Sequence, residues 1–325
     1  MWVSLSEEII CEKMVLTLMT QLLVVWAGML YSMILIFPIP FIHRAVDVVT
    51  AYIVTAGRLF SGVFVAQGVK NCKRPKKTLK LYEYEACGQC KKVRETMTAL
   101  DLDVLILPCP RESWRDNVIR ASRYRKDALD AGKRLQFPML VDDESVYFGS
   151  NNINAHLWKA YGDKASPHIW DYIVHFSPVY YVASLYLGFL TIFRPLPEMG
   201  MFRTPSDKPK KPLDLWGYEG DPFTKLVRER LSTLELPYIM HSMGKGSTKR
   251  DEFFQKHGHI ELPYLVDANA GGADCFGDER INDYLDRTYR MGLTLHPSLV
   301  KSVVSEASSK IHIPSPSDIK NIKPE

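Results

Sequence analysis

At 325 residues the chain has room for about two domains. A hydrophobic content of 46% with 24% charged residues is that of a globular protein, and a formal net charge of +4 is too small to argue for a nucleic-acid partner. Six cysteines, four of them scattered, exclude a disulfide framework and point to a reducing compartment for the folded parts.

Residues 1–77 read as an N-terminal membrane segment followed by a basic linker. No residue from Met14 to Ile42 is charged, a run longer than the roughly 20 apolar residues a bilayer core requires, and Pro38 and Pro40 are expected to end the helix. A removable signal peptide is the rival reading, with a shorter apolar region and positive charge ahead of it; here Glu7, Glu8, Glu12 and Lys13 precede the run. Arg44, Arg58 and the Lys/Arg residues from Lys70 to Lys80 follow it, which places the rest of the chain on the cytosolic or matrix-like, reducing side. Val46 to Val69, containing Asp47 and Arg58, reads as an amphipathic or hairpin-forming helix. The cluster from Lys70 to Lys77 is a solvated linker or a membrane-surface contact.

Residues 78–164 and 212–291 are two copies of one unit. The first opens Leu79-Lys80-Leu81-Tyr82-Glu83-Tyr84-Glu85-Ala86-Cys87-Gly88-Gln89-Cys90, the second Leu213-Asp214-Leu215-Trp216-Gly217-Tyr218-Glu219-Gly220-Asp221-Pro222-Phe223-Thr224. At a constant offset of 134, Cys87 falls on Asp221 and Cys90 on Thr224, while Val93-Arg94-Glu95 returns as Val227-Arg228-Glu229. The alternation of Leu79 to Tyr84 predicts a strand, the spacing of Val93, Met97 and Leu100 a helix, and Asp103 to Pro108 a buried strand, which together make a βαβ unit with parallel strands. A polar helical stretch (Ser113 to Ala131), a hairpin (Phe137 to Asp142, Val146 to Phe148) and a last helix from Ser150 to Tyr161 complete the copy, and the second copy repeats the order to Tyr289. Between the copies, 165–211 reads as an apolar helical linker. Its uncharged stretch from Phe176 to Phe193 would cross a membrane, lie on one or pack against a partner. The Ser/Pro/Lys-rich residues 292–325 read as a disordered tail.

Cys87 stands where a strand turns into a helix, so unsatisfied N–H groups and the helix dipole favour its thiolate, with Lys91 and Lys92 adding positive charge. Cys90, one turn on, is placed to resolve a mixed disulfide. The alternatives are two small buried residues or half of a zinc site; no second Cys/His pair has metal spacing, so no metal is expected. In the second copy Asp221 and Thr224 offer nothing nucleophilic, and Cys109 and Cys275 read as inert core residues.

The βαβ–ββα order with Cys87-Gly88-Gln89-Cys90 at the first helix start resembles the thioredoxin fold. More narrowly it resembles glutaredoxins and the glutathione S-transferase N-terminal domain, and most closely the tandem form of that domain in plants and algae. The resemblance implies two tandem thioredoxin-like domains, which here follow the transmembrane helix read from the apolar run, with glutathione as cofactor and a thiol or disulfide substrate. It assigns Phe137 and Pro138, as a cis-proline element, and Ser150, at the start of the last helix, to glutathione binding beside the catalytic pair Cys87 and Cys90. It also favours an organellar, plastid-type membrane. The chain departs from the family pattern at Gly88 and Gln89, where Pro and an aromatic are usual. It departs again at Gly149-Ser150, where glutathione transferases carry Glu-Ser. The all-helical domain that supplies the electrophile pocket of those transferases is missing, so conjugation is not expected. Two readings remain: a membrane-anchored thiol–disulfide oxidoreductase with an inactive second domain, or a non-catalytic scaffold subunit of an organellar membrane complex.

Overall fold

The computed structural model describes residues 40–111, 122–169, 200–269 and 272–291. The apolar run from Met14 to Ile39, the stretch from Phe176 to Phe193, the first half of the expected helix from Ser113 to Ala131, and the tail from 292 lie outside the described residues.

The first copy runs β1 (Leu79–Glu83), α2 (Gly88–Ala99), β2 (Val104–Pro108), α3 (Arg125–Gly132), β3 (Met139–Asp142), β4 (Ser145–Phe148) and α4 (Ser150–Tyr161), preceded by α1 (Pro40–Gly57). The second runs β5 (Leu213–Gly217), α5 (Pro222–Thr233), β6 (Tyr238–Ser242), α6 (Lys249–His257), β7 (Tyr264–Asp267), β8 (Ala273–Phe276) and α7 (Asp278–Tyr289). In each copy the first two strands are parallel and the hairpin joins antiparallel. Both X–Pro bonds entering the hairpins, Phe137–Pro138 and Leu262–Pro263, are cis.

The expected pair of tandem domains is corrected by the sheet. The described strands all belong to one eight-stranded sheet in the order β4-β3-β1-β2-β6-β5-β7-β8. The seam is antiparallel, with Val104 opposite Met240, Leu105 opposite Ile239 and Ile106 opposite Tyr238. Because Leu105 and Ile239 are the same position of the two copies, the seam has the self-complementary register of a two-fold dimer interface inside one chain. The physical reason is the edge: left apart, each copy would present an unpaired apolar strand, Val104-Leu105-Ile106 or Tyr238-Ile239-Met240, to solvent. One core runs through both halves, with Leu81, Leu100, Leu215 and Leu231 all fully buried; each such side chain contributes roughly 1.5–3 kcal/mol of transfer free energy.

The expected transmembrane helix is corrected as well. Among the described residues no helix is long and apolar enough to cross a membrane. A helix does begin at one of those prolines: α1 starts at Pro40, where a missing N–H is harmless, and spans 18 residues. It is amphipathic and attached to the second copy. Ala51, Val54 and Thr55 are buried, and Arg44 binds Asp278 and Glu279 at the start of α7, its Nη2 lying 2.9 Å from Asp278 Oδ1. Arg58, taken from the sequence as a flanking charge, is buried with its Nε 2.9 Å from Glu95 Oε1. The organellar membrane location inferred from a spanning helix is withdrawn with it.

The repeat also reaches further upstream than its strands. Gly62 and Gly200, with φ of 78° and 73°, open two crossing straps. Lys245 N–H donates to Val63 O at 2.8 Å and Val65 N–H to Lys245 O at 3.0 Å. In mirror fashion Arg111 N–H donates to Met201 O at 2.6 Å and Arg203 N–H to Arg111 O at 2.7 Å. Each strap therefore ties the segment before one copy to the other copy.

Candidate active site around Cys87

Cys87 is the N-cap of α2, with φ −86° and ψ 112°, and its sulfur accepts the backbone N–H of Cys90 at 3.3 Å. The cap holds the sulfur against the positive end of a 12-residue helix. The Cys87 thiol titrates at about 7 instead of the ordinary 9.0: the Cys90 thiol donates a hydrogen bond to it, the N–H groups of Cys90 and Gln89 add to this, and Arg94 contributes its charge, against an opposing effect of burial. Cys90 is fully buried, and burial together with its donation to Cys87 pushes its own thiol well above the usual range. The two thiols thus differ in the sense an attacking and a resolving sulfur require. Lys91 and Lys92, expected to supply the positive charge, point elsewhere. Lys91 Nζ is 2.7 Å from Glu219 Oε1 and Lys92 Nζ is 2.8 Å from Asn151 Oδ1.

The remaining residues singled out from the sequence frame the same spot. Cys87 is half-buried, with Gly88 and Gln89 exposed beside it. Ser150 is the first residue of α4; its hydroxyl donates to Gln89 Oε1 at 2.5 Å, so it meets the residue between the two cysteines and does not cap its own helix. Phe137 stands edge-on to Tyr84, with ring centroids 6.4 Å apart. The Tyr84 hydroxyl is pushed up to about 12 by burial and by the charges of Cys87 and Cys90. Gly149 N–H donates to Pro138 O at 3.0 Å, so the cis-proline and the start of α4 are fixed to each other.

In the second copy the same place is filled. Asp221 has φ −87° and ψ 119°, and its carboxylate accepts the Thr224 N–H at 2.7 Å. Phe223, the counterpart of Gln89, meets Tyr52 of α1 edge-on at 6.2 Å and lies under the Arg44 guanidinium at 5.7 Å. Asp278, in the place of Ser150, is bound by that same arginine.

Arg94 was not among the residues expected at the site, yet it joins the two copies. Its guanidinium binds Glu83, Glu85 at 3.1 Å and Glu219 at 2.8 Å. Its repeat partner Arg228 binds Glu219 at 2.8 Å and Glu85 at 3.1 Å, while Lys225 reaches Glu85 at 3.2 Å as Lys91 reaches Glu219. Glu85 and Glu219 are the same position of the two copies, so apart from Glu83, whose counterpart is Gly217, the network is two-fold symmetric, and it is buried throughout. Arginines hold it because their forked donors satisfy two carboxylates at once. The signal in the sequence was the identity of Glu85/Glu219, Lys91/Lys225 and Arg94/Arg228 between copies whose cysteines differ.

Among the described residues no group of three or more His, Cys, Asp or Glu is arranged to hold a metal ion. No curated protein and no solved structure matches the chain. Residues 81–165 match the family model described as "Glutathione S-transferase, N-terminal domain", so the first copy is similar to that thioredoxin-like domain, with Cys87 at its helix start.

Proposed function

We propose that the chain is a glutaredoxin-like thiol–disulfide oxidoreductase that uses Cys87 and Cys90, with glutathione as co-substrate and the second copy inactive. The observation that carries this reading is the pairing of a half-buried, low-pKa Cys87 sulfur with a buried, high-pKa Cys90 thiol one turn along the same helix. The Cys87 thiolate attacks a mixed disulfide between a substrate thiol and glutathione, and the substrate sulfur leaves as its thiol. The glutathione–Cys87 disulfide is then opened by Cys90 or by a second glutathione thiol, and the departing sulfur takes up the proton.

The residues present fit glutathione in part. Gly149 leaves the first turn of α4 without a side-chain cap, so its N–H groups are open to a carboxylate. Phe137 stands against Tyr84, Pro138 is tied to Gly149, and Ser150 holds Gln89 beside Cys87. A carboxylate for the ammonium group of glutathione is missing at Gly149-Ser150, which favours ligands held along their backbone over a tightly bound tripeptide. The scaffold reading draws on Asp221, which shows that the helix start needs an acceptor for its N–H and no thiol.

The test is reduction of a glutathione mixed disulfide by the full chain and by its Cys87→Ser variant. Turnover in the wild type that falls to background in Cys87→Ser is the expected result. Absence of turnover in both, or equal turnover in both, would reject the oxidoreductase.

A further inference from the structure

Two arginines are tied to the residues beside Cys87. Cys87 N–H donates to Tyr84 O at 3.1 Å, and the Tyr84 hydroxyl interacts electrostatically with both Cys87 and Cys90. Arg111, half-buried just past β2, donates a side-chain hydrogen bond to that hydroxyl. Arg125, the first residue of α3, is 7% exposed. Its Nη2 is 3.3 Å from Cys109 O, its guanidinium lies 5.6 Å from the centre of the Phe137 ring, and its Nε has no hydrogen-bond partner among the described residues. Phe137 meets Tyr84 edge-on, so Arg125, Phe137, Tyr84 and Arg111 form one chain of contacts that ends at Cys87. Among the described residues no carboxylate forms an ion pair with either arginine; Glu83 is held by Arg94 and Glu235 by Arg203. A guanidinium this far buried without a counter-charge favours an anion brought from outside.

The second copy separates what belongs to the fold from what belongs to the copy with the thiol. Arg250, the repeat partner of Arg125, binds Met243 O at 2.8 Å as Arg125 binds Cys109 O, so that contact is shared. The others are not. Leu262 stands in the place of Phe137, and Lys245, the partner of Arg111, is drawn to Phe64, with its Nζ 5.7 Å from the ring centroid. The sheet order then gives Arg111 its side. β1, which leads to Cys87, lies between β3 and β2. The cis-proline and Ser150, named above for glutathione, belong to the β3 side, whereas Arg111 continues β2. A mixed disulfide laid across Cys87 with its glutathione half on the β3 side presents its other half to Arg111.

We infer that Arg111, with Arg125 adding its charge, forms a carboxylate subsite for the substrate half of the disulfide, so that the preferred substrates are peptides with an acidic residue next to the reacting cysteine. The peptide preference rests on the oxidoreductase reading; the anion site does not. A guanidinium suits this task because its planar fork bonds a carboxylate through two N–H groups at once.

The experiment alkylates Cys87 of the full chain with iodoacetate, which carries a carboxylate, and in parallel with iodoacetamide, which does not. Both reagents meet the same thiolate, so the ratio of their rates cancels the pKa of Cys87 and reports the attraction felt by the incoming group. The ratio should fall about threefold or more in Arg111→Gln and stay near wild type in Arg111→Lys. The strap bonds of Arg111 are made by its backbone, so neither substitution removes them. An unchanged ratio in Arg111→Gln would overturn the subsite. The second arm is reduction of two glutathione–peptide mixed disulfides that differ in Glu or Gln beside the cysteine. Wild type should favour the Glu peptide about threefold or more in kcat/KM, and Arg111→Gln should favour neither. Turnover without that preference, or an equal loss on both peptides in Arg111→Gln, would mean that the arginine does not read the substrate half and would overturn the inference. Absence of any turnover would reject the oxidoreductase and the peptide preference with it, and the alkylation ratio alone would decide the anion site.

Discussion

Cys87 and Asp221 do the same structural task with different atoms: each caps the first helix of its copy from nearly the same backbone angles, and each accepts the N–H of the residue three places on. The cap and the nucleophile can therefore be separated by substitution. Cys87→Asp should keep the melting temperature close to wild type and abolish thiol chemistry. Cys87→Ala and Asp221→Ala should each lose about 1 kcal/mol, the usual worth of an N-cap. Thermal unfolding of the four proteins checks this. A Cys87→Asp variant as unstable as Cys87→Ala would show that the sulfur does not act as a cap.

The reactivity of Cys87 should follow its lowered pKa. Alkylation by iodoacetamide, read at the Cys87 peptide, is expected to rise through about pH 7, with Cys90 unreactive over the same range. The first cause of the shift is the hydrogen bond from Cys90. Cys90→Ala removes that donor and should move the midpoint up toward 9.0, whereas Cys90→Ser keeps a donor and should move it less. Because the folded pKa lies below the unfolded one, the thiolate stabilises the reduced fold above about pH 9 and this contribution is lost as pH falls through 7.

Much of this arrangement was legible in the sequence, and the parts that were not share a cause. The strand and helix of each copy follow from local periodicity, and the offset between Cys87 and Asp221 located the helix start that matters. Of the residues singled out with it, Ser150 meets Gln89, Phe137 meets Tyr84 and Pro138 is bonded to Gly149. What local patterns do not state is which element lies beside which. Val104-Leu105-Ile106 reads as a buried strand whether its neighbour is a helix, a membrane-side segment or Tyr238-Ile239-Met240. Arg44 and Arg58 read as charges flanking an apolar run until Asp278 and Glu95 are seen opposite them. Arg94 looked like an ordinary helix charge because its acceptors Glu83, Glu85 and Glu219 come from two copies.

The network around Arg94 predicts a stability difference between neighbouring glutamates. Glu219 and Glu85 are buried, but Arg228 and Arg94 outweigh burial and hold both carboxyls below the usual range, Glu85 at about 2. Neutralising either strands a buried cation, so Glu219→Gln and Glu85→Gln should each lose about 3–5 kcal/mol. Glu83 differs: burial pushes it up to about 7 in spite of Arg94, so it is already largely neutral in mildly acid solution. Glu83→Gln should lose less than half as much. Its folded pKa is raised, so the stability it gives is complete below 4.5 and lost as pH rises through 7; Glu83→Gln should flatten that decline. Urea unfolding from pH 4 to 8 measures both effects, and equal losses for all three variants would refute the assignment.

A second titrating contact crosses the seam at its other face. His241 of β6 lies between two carboxylates, with Nδ1 3.2 Å from Asp103 Oδ2 and Nε2 2.9 Å from Asp214 Oδ1. A neutral imidazole has one N–H, so both contacts are hydrogen bonds only when the ring is protonated. Burial works against that charge, but the bonds to Asp103 and Asp214 outweigh it and hold the pKa above 6.5. Lys249, 2.5 Å from Asp103, and Trp216, stacked at 4.4 Å, complete the surroundings, and the lysine keeps Asp103 charged when the imidazole loses its proton. The raised pKa means that the stabilisation is complete below pH 6.5 and is lost as pH rises through the folded value. Asp103 is 40% exposed, so solvent screening limits the effect to about 1 kcal/mol. Cys87 and Glu83 titrate nearby with their own signs, so the quantity to measure is the difference between wild type and His241→Gln. That difference should be largest near pH 6 and shrink by pH 9. A difference that stays constant across this range would mean that His241 contributes by packing on Trp216 and not through its charge.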